Sequence, residues 1–134
     1  MSCLFCKIIS KEETSRTIYE DDHTMAFLNL YPANLGHTLV IPKIHSDDLL
    51  KTDIETVTKV YQTIKKITPA ILSGVNSSAF NCSINNGAIS GQVIFHFHVH
   101  IIPRFSNDNL QMWPKTAVTS EALDQTYNNI KKYL

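Results

Sequence analysis

The chain has 134 residues, 43% of them hydrophobic, and its twelve Lys and Arg residues cancel twelve Asp and Glu. That size and apolar content suit one domain with one core, and the charge balance, with no basic block, excludes the electrostatic footprint of a protein that binds nucleic-acid polymers. No run of about 18 apolar residues occurs, and Lys7, Lys11, Glu12 and Glu13 break up the start, so neither a membrane span nor a signal peptide is expected and the protein is read as cytoplasmic.

The first motif is Cys3-x-x-Cys6. A redox dithiol of this spacing normally follows a strand, and almost no chain precedes Cys3. Zinc is the better fit, and the sequence offers His45 and His96 as the other two ligands of a closed, structural two-thiolate, two-imidazole site. The plainer alternative is a pair of free thiols packed as small hydrophobes. With three cysteines in all, no disulfide framework is expected, and Cys82 reads as a buried strand thiol.

Strand formers at Thr17–Glu20 and Thr24–Leu30 flank Asp21-Asp22-His23 and predict a hairpin, and a third strand spans about His37 to Ile41 before Pro42. Thr52 and Glu55 match a capping box for a helix carrying Ile54, Val57, Val60, Tyr61, Ile64 and Ile67 at helical spacing, with Pro69 expected to end or kink it. Two more strands, about Ala79–Asn85 and Val93–Ile102, flank the loop Asn86-Gly87-Ala88-Ile89-Ser90-Gly91. A last helix from Thr119 or Ser120 places Leu123, Tyr127, Ile130 and Leu134 on one face. Antiparallel runs of strands interrupted by helices give the α+β class.

The most informative stretch is Ile94-Phe-His-Phe-His-Val-His-Ile-Ile-Pro-Arg104. Strand side chains alternate faces, advancing ~6.6 Å per two residues. His96, His98 and His100 therefore share one face, with Phe97, Val99 and Ile101 on the other. Three surface or core histidines in register would each need a separate partner or separate access to solvent. A row of imidazoles suits chemistry better.

The row, the Gly91-Gln92 step before it, the block Gly36-His37-Thr38-Leu39-Val40-Ile41-Pro42-Lys43-x-His45 and the opening Cys3-x-x-Cys6-Lys7-Ile8-Ile9 together resemble the histidine triad (HIT) family. The blocks are most similar to its zinc-containing, Hint-like branch, and the resemblance covers about residues 3–104 of a single domain spanning 1–134, with residues 105–134 as a C-terminal segment. It implies a five-stranded antiparallel sheet with two main helices, and a homodimer that joins two sheets into one of ten strands. It further implies cleavage of purine nucleoside phosphoramidates or related nucleotides at the α-phosphate, with His98 as a nucleophile forming a nucleotidyl-histidine, His100 donating to phosphate and His37 supporting His100. His96 is left for zinc. An AMP-like nucleotide would lie against Leu4, Phe5, Ile8, Phe27 and Leu30, with Asn29 at the ribose and Asn85, Gly91, Gln92 and Val93 cradling phosphate. The apolar wall residues read equally well as plain core.

Val93 stands where the family usually has Ser or Thr, removing a hydroxyl donor and favouring better leaving groups. Asn29 stands where Hint-like members usually have Asp and resembles the dinucleoside polyphosphate hydrolases. Those hydrolases, and a nucleotide-binding scaffold with negligible turnover, are the alternative readings.

Overall fold

The computed structural model describes residues 2–134. Asp21 makes the first turn. Its carboxylate accepts the amides of His23 and Thr24 at 2.8 Å each and the Tyr19 hydroxyl at 2.8 Å, closing a hairpin between β1 (Thr17–Glu20) and β2 (Thr24–Leu28). β2 pairs with β3 (Thr38–Pro42) in the register Met25 to Ile41, Ala26 to Val40 and Phe27 to Leu39. With β4 (Ala79–Ser83) and β5 (Val99–Arg104) these strands form one antiparallel sheet in the order β1-β2-β3-β5-β4.

The two-residue period sorts the core into two layers. On one face Ala26, Val40, Val99, Ile101 and Phe97 pack against Val60, Ile64, Ile67 and Ile71 of helix α2 (Ile54–Val75). On the other, Met25, Phe27, Leu39 and Ile41 pack against Phe5 and Ile8 of a short helix α1 (Leu4–Ile9). Both faces of β2 and β3 are thus covered, which explains their nearly unbroken apolar runs. A third helix, α3 (Ser120–Lys131), buries none of its residues.

Several boundaries differ from those the sequence suggests. Asp53, not Thr52, caps α2, because its carboxylate accepts the Thr56 amide at 2.8 Å. Pro69 does not end the helix, which continues to Val75 and stops at Asn76 in the left-handed conformation, φ 55°. A proline inside a helix costs ~3 kcal/mol. Pro69, however, faces solvent, where water can satisfy the freed Lys65 carbonyl, and continuation buries Ile71 for about 2 kcal/mol and packs Leu72 and Val75 besides. β2 stops at Leu28, β4 stops at Ser83, and β5 begins only at Val99. Cys82 is exposed on the edge strand β4 rather than buried. The apolar stripe of α2 is largely consumed by the chain's own sheet; of its members Ile54 and Tyr61 remain exposed. Among the described residues no helix is long and apolar enough to cross a membrane.

Candidate active site and metal centre

The segment before β5 carries His96 and His98 outside the regular ladder. It is held instead by the Phe97 amide, which donates to the Ser46 carbonyl at 2.7 Å. Alternation survives without the ladder: Phe97, Val99 and Ile101 enter the α2 core, while Phe5 of α1 meets the rings of His96 and His98 edge-on, at 5.9 and 5.1 Å between centroids. The histidine face is therefore the α1 face, as the two-residue period predicts.

The four rings of His96, His98, His100 and His37 differ in what their nitrogens touch. A carbonyl can only accept, so the 2.7 Å contact of His98 Nδ1 with the His96 carbonyl puts the proton on Nδ1 and leaves the Nε2 lone pair bare. Burial keeps the His98 ring neutral by lowering its pKa. His37 Nδ1 accepts the Ala33 amide at 3.0 Å, and burial lowers that ring's pKa too, so its proton sits on Nε2. His37 Nε2 then donates to His100 Nδ1 at 2.9 Å. His100, pushed down to about 4 by burial and by the His98 and His37 rings, is neutral with its own proton on Nε2. That Nε2 is buried and has no protein partner. Its centroid lies 5.0 Å from that of His98. A bare nitrogen and an unpaired N–H thus stand side by side.

Both rings border a cavity of about 450 Å³. Leu4, Phe5, Ile8, Phe27 and Leu30 form its apolar wall, with Phe5 and Phe27 packed edge to face at 5.4 Å, and Asn29, Asn85, Gly91 and Val93 also line it. The structure brings these residues together. Gln92 is the exception: it is buried outside the cavity, its side-chain amide donating to the carbonyls of Asp47 and Ile94 while its side-chain oxygen accepts from Gly87 N–H. The loop amides also differ from a simple cradle. Those of Gly91 and Gln92 turn back onto the Ala88 and Gly87 carbonyls, and among the described residues the Val93 amide has no such partner. Thr14, Ser15, Arg16 and Tyr31 also reach the cavity, unnoticed in the sequence because they lie in polar stretches without periodicity.

Next to this cavity the ligand atoms of Cys3, Cys6, His45 and His96 all lie within 4.8 Å of one another. The His96 ring donates from Nε2 to the Pro42 carbonyl at 2.8 Å, leaving Nδ1 bare at 3.6 Å from both thiol sulfurs and 3.2 Å from His45 Nδ1. Cys6 Sγ is 3.4 Å from His45 Nδ1. Tetrahedral zinc with Zn–S of ~2.3 Å and Zn–N of ~2.0 Å separates such atoms by about 3.3 to 3.8 Å, so the residues fit that ion. The second ring nitrogens support the fit, with His96 Nε2 on a carbonyl and His45 Nε2 at 3.4 Å from Asp47. Burial and the neighbouring Cys3 thiol push the Cys6 pKa up, as expected for two sulfurs that need a cation between them before both ionise.

An α+β protein with a five-stranded antiparallel sheet, a histidine row running into its inner strand β5 and a cavity beside the short helix α1 is the class these features define. A profile of the HIT domain matches residues 10–107, and the chain belongs to the HIT family, whose proteins include nucleotide-binding hydrolases and transferases. It is 50% identical over 109 residues to an uncharacterized HIT-like protein of Borreliella burgdorferi, covering 79% of this chain and 78% of that one. It is 40% identical over 121 residues to the adenylylsulfatase HINT3 of Arabidopsis thaliana, covering 90% of this chain but only 60% of that longer protein. Among solved structures, a HIT-family protein of Bacillus subtilis superposes with a TM-score of 0.89 at 36% identity, covering 100% of this chain and 98% of that one. A zinc-bound histidine triad protein of Mycobacterium smegmatis gives 0.79 at 34% identity, covering 96% and 98%.

Proposed function

We propose that this protein hydrolyses purine nucleoside phosphoramidates or related nucleotides at the α-phosphate through a nucleotidyl-histidine. The observation that carries the reading is the opposite protonation of two adjacent rings, a bare Nε2 on His98 and an Nε2–H on His100, both bordering a cavity with an apolar wall. The base and sugar lie against Leu4, Phe5, Ile8, Phe27 and Leu30, with Asn29 at the ribose. His98 Nε2 attacks phosphorus, and the bond from phosphorus to the leaving group breaks with its electron pair leaving on that group. His98 then carries a positive charge that its Nδ1–H shares with the His96 carbonyl. His100 Nε2–H donates to a phosphoryl oxygen as negative charge develops there, with the Val93 amide and Asn85 as further donors. Water next attacks phosphorus, the bond to His98 Nε2 breaks with its electron pair returning to that nitrogen, and the proton lost by the water passes to solvent, releasing AMP and restoring neutral His98.

Leaving-group chemistry favours one substrate class within this reading. Val93 exposes an isopropyl group at the cavity, so that position offers no hydroxyl to protonate a departing amine. Groups that leave as stable anions need no such proton, which suits an adenylyl sulfate or a phosphate anhydride. The name of the Arabidopsis relative, an adenylylsulfatase, agrees with this.

Zinc would be held by Cys3, Cys6, His45 and His96, and it supplies a structural cross-link between α1 and the histidine segment. The functional unit is proposed to be a homodimer of single HIT domains in the cytoplasm, with the β4 edge and the exposed Ile54, Tyr61 and Phe80 as the candidate contact.

The test is to incubate the protein with an adenosine phosphoramidate, quench with alkaline denaturant and read the intact mass. AMP on the wild-type chain but not on His98→Ala is the expected result. Turnover in the His98→Ala protein equal to wild type would remove the covalent route.

A further inference from the structure

The donor that His100 offers the cavity is set by a chain of bonds that begins outside it. Asp108 lies just beyond β5 with its side chain only 6% exposed. Its carboxylate accepts Arg104 Nε at 2.8 Å and Nη2 at 3.0 Å, the Phe105 and Leu110 amides at 2.9 and 3.0 Å, and Asn34 Nδ2 at 3.0 Å. Asn34 Nδ2 also donates to the Pro103 carbonyl at 2.9 Å, so both amide hydrogens are used. Arg104 in turn reaches Asn81 on β4 and the Leu110 carbonyl. The loop between β2 and β3 is therefore tied from its outer side to the end of β5. Its exit is equally constrained, because Gly36 has φ +85° and a Cβ there would come within 2.9 Å of Val75 and 3.0 Å of Pro103.

What this loop does for the site is made at one peptide group. The amide of Ala33, immediately before Asn34, donates to His37 Nδ1, and the His37 amide returns to the Asn34 carbonyl at 3.1 Å. A ring that accepts at Nδ1 must carry its neutral proton on Nε2. His37 can then only donate to His100, and His100 can only accept at Nδ1. The single N–H of His100 is forced onto Nε2. Were the Ala33 amide to swing away, His37 could hold its proton on either nitrogen, and His100 Nδ1 could become the donor. The cavity would then face a lone pair where phosphate needs a proton.

We infer that Asn34 and Asp108 are positioning residues that fix the tautomer of His100 through the Ala33 amide and His37. Their use in catalysis rests on the reading given under Proposed function, whereas the tautomer does not.

Long-range proton–nitrogen correlation spectra of 15N-labelled protein at about pH 8, above the free imidazole range, report each ring's tautomer directly. Wild type should give His100 with a protonated Nε2 and a bare Nδ1. Asn34→Ala should bring the two nitrogen shifts towards each other, the signature of mixed tautomers, and lower kcat for AMP release roughly tenfold with little change in KM. Ala33→Pro deletes the donating hydrogen itself and should reproduce both effects, so a folding failure of one variant leaves the other to decide. A merely structural loop would lower the melting temperature and leave the His100 shifts alone. Folded Asn34→Ala and Ala33→Pro proteins with an unchanged Nε2–H tautomer overturn the inference, as does an Nδ1–H tautomer in wild type. Absent turnover in wild type, with the tautomer change intact in the variants, counts against the phosphoramidate reading and supports the relay.

Discussion

His98 and His100 are the same residue type two positions apart, and their backbone and ring partners give them opposite roles. The Nδ1–H of His98 donates to the His96 carbonyl, and the Nδ1 of His100 accepts from His37 Nε2–H. Removing the bare nitrogen should cost far more than removing the donor. His98→Ala is expected to lower kcat by about a thousandfold or more with AMP affinity little changed, whereas His100→Ala should cost about a hundredfold. The pH profile separates the roles further. Protonation fills the His98 lone pair, and burial holds that ring's pKa below the usual value, so kcat/KM should stay level as pH falls through the free imidazole value of about 6.5 and decline only below it. A break at or above that value, or equal losses for the two variants, would contradict the assignment.

At the scale of elements, α1 is a six-residue helix capped by a thiol, with the Cys3 sulfur accepting the Cys6 amide at 3.5 Å. Helices this short are not stable alone in water, so its place depends on Phe5, Ile8 and the sulfurs. Cys3→Ser is expected to lose near-stoichiometric zinc and several degrees of melting temperature, measured by elemental analysis of protein purified without added metal and by thermal unfolding. Metal-free wild type of full stability would sink the structural-zinc reading. The same element marks where sequence reasoning stops. Six residues hold too little helical period to reveal α1, although its ligands and its apolar contacts were legible one by one. The histidine face was legible because alternation persists through Phe97 even where the ladder does not. The end of α2 was not, because the cost of Pro69 depends on which side of the helix meets water. Asn34 and Asp108 carry no motif at all, since they act on the site through a backbone amide.

For the whole molecule, the sheet ends in two edge strands, β1 and β4. The apolar stripe of α2 is absorbed by the chain's own sheet, while β4 has an unpaired side beside exposed Phe80 and Tyr61, and α3 exposes Leu123, Tyr127 and Ile130. An unpaired edge next to apolar side chains is a surface that folded proteins cover. Sedimentation equilibrium at micromolar protein should therefore give twice the 15.1 kDa of the chain, and Phe80→Glu should shift the population towards monomer. Wild type sedimenting only as monomer would contradict the dimer.

Phe5 lies between Cys3 and Cys6 in the sequence, and its own ring meets those of His96 and His98. A ligand packed against Phe5 and a cation gripped by the sulfurs would both favour the same docked state of α1 over the same undocked one. Linkage then requires that each raise the affinity of the other by an identical factor. Metal supply and nucleotide occupancy would be thermodynamically coupled through the docking of a helix too short to hold its own position.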